Sequence, residues 1–174
     1  MDIPVRLSFC GSGKGISPPT SKHEAMLIAL LMPLLALSHE KVVFTANFDG
    51  DSPPSTWRSQ EWAGSAAFGQ FPGRTGRAIA VASTSGADAA MTVRIPVVPY
   101  SKYRLSGWIK TENVVLTTGR GALFNLHGRP ERSEALTGST DWKEAGFTFD
   151  SGGDDEGQLN CLLGYFGQAS GKAY

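Results

Sequence analysis

Trp108 sits in the stretch YSKYRLSGWIKTENV, Tyr100 to Val114, among residues that a hydrophobic core does not want. Read with a period of two, Tyr103, Leu105 and Ile109 fall on one side, and Arg104, Ser106, Trp108 and Lys110 on the other. An indole on a polar strand face is a flat apolar surface ringed by hydrogen-bonding groups. Neighbouring strands would add Asn125, His127 and Asn160 beside Arg104, all able to donate or accept. Trp57 and Trp62 are further candidates, lying in a Gly-, Pro- and Ser-rich segment from Asp49 to Thr75, where they would line the end of a groove or plug the space under a loop. The competing reading of Trp108 folds that same segment over it as a cover.

Acidic residues form two groups. Asp49 and Asp51 flank Gly50, and Asp154, Asp155 and Glu156 lie between glycines; such oxygen ligands suit calcium, although neither spacing makes an EF-hand loop. The second group reads as a solvated turn. Catalysis is not expected: no carboxyl pair is singled out for glycoside hydrolysis, no nucleophile elbow is present, and GSGKG at 11–15 lacks phosphate-loop spacing. Sixteen basic residues balance sixteen acidic ones, which argues against nucleic acid as a partner.

The elements that must hold these residues read as strands. Twenty-one glycines and ten prolines, with no helix of amphipathic period, predict short strands joined by turns. KVVFTANF, RAIAVAS, AMTVRIPV, the Trp108 stretch, ALFNLHG, EAGFTFDS and QLNCLLGYF each alternate, and ASGKAY opens another. About eight such strands, each with one apolar face, predict an all-β fold, an antiparallel two-sheet β-sandwich. Ahead of them, Lys22 and His23 precede the apolar run Ala25–Leu37, which has the parts of a secretory signal with a cut after Ser38. The run is shorter than the roughly 20 apolar residues a spanning helix needs. The expected organisation is therefore a disordered leader and signal peptide over 1–38 and a sandwich over 39–174, with membrane attachment only through an uncleaved signal. Cys10 would leave with the leader, and Cys161 reads as a buried thiol acting as a small hydrophobe.

The order of motifs carries a resemblance. Tyr103-Arg104-Leu105-Ser106-Gly107-Trp108 in mid-chain, Gly138-Ser139-Thr140-Asp141-Trp142 at a late strand and Ala169-Ser170-Gly171-Lys172-Ala173-Tyr174 at the end together resemble the jelly-roll carbohydrate-binding modules of the cellulose- and xylan-binding type, within the galactose-binding-like folds. The resemblance covers most of Val42 to Tyr174. In that family the last motif runs on into a Phe-Asp-Asp turn, so the final strand is expected to be incomplete. The resemblance implies a non-catalytic module that holds a polysaccharide or other glycan, with a structural calcium near the paired termini at Asp49 and Asp51. The signal reading predicts a secreted, periplasmic or cell-surface protein, and with the resemblance a module of a larger assembly. The alternative is a structural or protein-interaction sandwich without a sugar site.

Overall fold

The computed structural model describes residues 5–9 and 41–174. Among these the chain is all-β: β1 (Val5–Phe9), β2 (Lys41–Ala46), β3 (Arg58–Gly64), β4 (Ala67–Pro72), β5 (Arg77–Pro96), β6 (Lys102–Leu116), β7 (Gly121–Leu126), β8 (Gly138–Asp150), β9 (Glu156–Gly164) and β10 (Ala169–Ala173). Every pairing is antiparallel.

Hydrogen bonding links the ten strands into one continuous sheet, which folds into two layers because β5 belongs to both. Its first half lies between β4 and β10, and its second half between β3 and β9. Gly86 marks the change of layer, with φ at 102°, a conformation glycine adopts at little cost. One layer then runs β3-β5-β9-β7, and the other is built around β6 with β8, β10, β1, β2 and β4.

The alternation anticipated in the sequence fills the space between the layers. Leu7, Tyr103, Leu105, Ile109 and Phe149 from one side meet Met91, Val93, Ile95, Phe124, Leu126, Leu159 and Leu163 from the other in a single buried cluster. Burying each of these side chains is worth about 1.5–3 kcal/mol, so the shared interior is what holds the two layers face to face.

Three expectations are corrected. Asp49 to Thr75 is not an irregular loop, since β3 and β4 form there along opposite halves of β5. RAIAVAS and AMTVRIPV are two ends of one 20-residue strand. Val5–Phe9 is not disordered: it is a strand between β2 and β6, with Val5 and Leu7 in the core. The apolar run Ala25–Leu37 and the expected cut after Ser38 lie outside the described residues.

Candidate functional site

The outer face of the β3-β5-β9-β7 layer is set by strand period. β9 turns Leu159 and Leu163 inward and Gln158, Asn160 and Leu162 outward; β7 turns Phe124 and Leu126 inward and Leu123 and Asn125 outward. Register then aligns these outward residues in rows across the strands. Arg58, Thr92, Asn160 and Asn125 make one row, and Gln60, Ala90, Leu162 and Leu123 the next. The first row is polar; in the second, Ala90, Leu162 and Leu123 are apolar and join Tyr165 in a small cluster of their own, with Gln60 at the β3 edge.

The two asparagines of the polar row join Gln158, two residues back along β9, in a bonded amide chain. Gln158 Nε2 donates to Asn160 Oδ1 at 3.0 Å, Asn160 Nδ2 to Asn125 Oδ1 at 3.1 Å, and Asn125 Nδ2 to the Leu126 carbonyl at 3.0 Å. Asn160 and Asn125 are buried, and an unpaired amide there would cost about 1–3 kcal/mol, so this mutual satisfaction makes a rigid floor. Above it, Trp62 from β3 and His127 just past β7 stack, ring centroids 5.7 Å apart and 11° from parallel. These two residues come from the opposite edges of the layer, and Trp62 is still 37% exposed.

The groove beside this pair, of about 330 Å³, is also lined by Asp88, Arg129 and Phe166. Arg129 is held by Asp154 at 2.9 Å and by the Ser151 carbonyl. The rim is a tight turn in which Gly164, Tyr165, Phe166 and Gly167 all have positive φ. Buried Asp88 braces it: Oδ1 accepts the Tyr165 N–H at 3.0 Å and Oδ2 the Gly167 N–H at 3.3 Å. The turn leaves the Phe166 ring almost bare, at 86% exposure. A stacked aromatic pair over an amide floor with a second exposed ring at the rim offers flat apolar surface and neutral hydrogen-bonding groups in one place.

The predicted residues therefore separate. Trp62, Asn125, His127 and Asn160 converge. Trp108 and Arg104 do not join them: β6 belongs to the other layer, so its outward residues face away across the whole core. Trp108 is half-buried there under the Arg74 guanidinium, 3.9 Å above the ring centroid, and Arg104 lies opposite Thr148 of β8 and Ser8 of β1. Trp57 is a core residue, 5% exposed, its ring edge-on to Phe48 at 5.1 Å.

Asp49 braces a turn, accepting the Arg77 N–H through Oδ1 at 2.9 Å and closing over Gly76, where a Cβ would strike the carboxylate. Among the described residues no group of three or more His, Cys, Asp or Glu is placed to hold a metal ion, so Asp49 and Asp51 bring no converging set of side-chain ligands. Burial pushes the Cys161 thiol up, which keeps it protonated and unreactive.

Gln60, Asp88, Gln158, Tyr165 and Phe166 complete the face without having been singled out in the sequence. Asp88 did leave a signal there, as a lone acid within the small and apolar run GADAAMTV. Comparison of the chain with protein-family models and with curated proteins finds no match.

Proposed function

We propose that this chain is a non-catalytic module that binds a polysaccharide across the outer face of the β3-β5-β9-β7 layer, as part of an exported or surface-attached protein. The observation that supports this is the stacked Trp62–His127 pair above the buried Asn125–Asn160 floor. A pyranose has a face of C–H groups and a rim of hydroxyls. The face loses water against an aromatic ring at about 25 cal/mol per Å² of apolar area, and the rim meets the exposed His127 imidazole edge and the half-buried Gln60 and Gln158 amides without needing charge, with the buried Asn125 and Asn160 serving as the support beneath. A few such contacts give weak binding that repeats along a chain of sugars.

Retention of the full chain on insoluble polysaccharides, and in gels with soluble ones embedded, tests the reading. Trp62→Ala should weaken retention about tenfold, the loss of roughly 1.4 kcal/mol of stacking. Trp108→Ala should leave it unchanged. Retention on no glycan by the unaltered chain would overturn the reading in favour of a structural or protein-binding sandwich.

A further inference from the structure

On the outer face of the layer built around β6, two arginines stand side by side. Arg6 of β1 lies directly opposite Ser106 of β6, and Ser8 directly opposite Arg104, so the arginines are diagonal neighbours with backbones roughly 7 Å apart. Both point away from the core, because Leu7 and Leu105 beside them turn into it. The ion pairs among the described residues use Arg94, Lys110, Arg129 and Lys143, and neither of these two. The carboxylates of β8 on this face sit one row away, Glu144 opposite Trp108 and Asp150 opposite Lys102. Arg6 is half-buried, and its Nε is buried with no hydrogen-bond partner. One other such atom occurs among the described residues, Glu131 Oε2, and it faces Arg129 Nε at 3.6 Å. Arg6 Nε has no such compensating charge among them, and a charged donor held out of water is destabilising until something accepts from it. The row beside it is low: Ser106 comes next, then Gly146 of β8. Arg104, Gly146, Thr148 and Glu144 line a groove there of about 410 Å³.

We propose that Arg6 and Arg104 hold a tetrahedral oxyanion, a phosphate or sulfate group, over Ser106 and Gly146. A guanidinium presents a planar fork of N–H donors that matches two oxygens of such a group, and two forks on adjacent strands grip it from both sides. The Ser106 and Thr148 hydroxyls flank the position and donate to the remaining oxygens. A bound group supplies the acceptor that Arg6 Nε lacks and offsets the repulsion between the two like charges. Glu144 closes the Trp108 side to a second anion. The free ion and an ester carried on a polymer offer this same chemistry.

Titration of the full chain with inorganic phosphate and with sulfate, against chloride at matched ionic strength, tests this through the NMR signal of the Arg6 Nε–H, identified by its loss in Arg6→Lys. The expected result is a saturable shift with both oxyanions and none with chloride, half-saturation falling on the order of millimolar, as two charge-assisted contacts at a partly solvated site give. Arg104 is exposed, so Arg104→Ala should keep the fold and weaken the titration at least about fivefold. Dextran sulfate beside unmodified dextran separates the sources. Half-saturation at an ester concentration at least about tenfold below that of free sulfate assigns the site to a polymer-borne group, and a smaller difference assigns it to the free ion. A signal that moves as much in chloride as in the oxyanions, or a titration that Arg104→Ala leaves unchanged, would overturn the site.

Discussion

The Tyr174 hydroxyl donates to Glu112 Oε2 at 2.8 Å, and each group shifts the other. Burial, then the hydrogen bond and charge of Glu112, push the phenol up to about 12 from 10.0, while the bond from Tyr174 leads the effects that hold the Glu112 carboxyl below 4.5. The phenol is raised, so its contribution to stability is present below pH 10.0 and is lost as pH climbs toward about 12. The carboxylate is depressed, so its contribution is present above pH 4.5 and fades in acid. Tyr174→Phe should therefore unfold at lower urea concentration than the parent between these limits, with the two midpoints converging at both extremes. A gap that stays constant across pH would mean the bond is not what couples these residues. Residue-level chemistry of this kind was hidden in the sequence, because Glu112 and Tyr174 are brought together only by the pairing of β6 with β10.

The turn after β9 shows how one carboxylate shapes an element. Tyr165 and Phe166 are non-glycine residues in the left-handed region, at φ 72° and 50°, which costs roughly 1–2 kcal/mol each. Two charge-assisted bonds to Asp88 offset this and fix where Phe166 points. Asp88→Ala should lower unfolding stability by about 2–3 kcal/mol in urea titration and weaken glycan retention with it. Phe166→Ala should weaken retention while moving stability by less than about 0.5 kcal/mol, since the ring is exposed. Equal stability losses in the two variants would remove Asp88 as the brace.

Strands with a continuous apolar alternation, such as Tyr103-Leu105 and Leu159-Cys161-Leu163, were legible because burial on one face writes period two into the chain. β3 and β4 were not, since their residues are mostly exposed or half-buried and their strand form is imposed by the edges of β5. β1 escaped because five residues are too few to establish a period, and because the apolar run beyond it drew the whole segment into the reading of a leader.

Across the whole molecule, period two distinguishes inside from outside but not one outside from the other. Trp108 was correctly placed away from the core, yet a two-layer fold has two outer faces, and only the order of strands decides that Asn125 and Asn160 share theirs with Trp62. On the opposite face three of the aromatic groups lie under cations: Arg74 over Trp108, and Lys172 over Phe71 at 3.2 Å and Tyr174 at 4.4 Å, while Trp142 stands edge-on to Tyr174 at 6.4 Å. The amide face is different in kind, with neutral groups at its centre and Arg129 at its rim already engaged by Asp154. Net charge is zero over the whole chain, so no overall charge draws a charged polymer to the molecule and any such attraction would come from a local patch. Raising salt from about 0.05 to 0.5 M shortens the screening length from roughly 14 to 4 Å, which would abolish adsorption driven by charge and leave stacking and amide contacts intact. Retention on polysaccharide should accordingly hold within about twofold across that range, a shift of roughly 0.4 kcal/mol. A fall of tenfold or more would mean that cations, and with them the Arg74 and Lys172 face, do the binding in place of the Trp62–His127 groove.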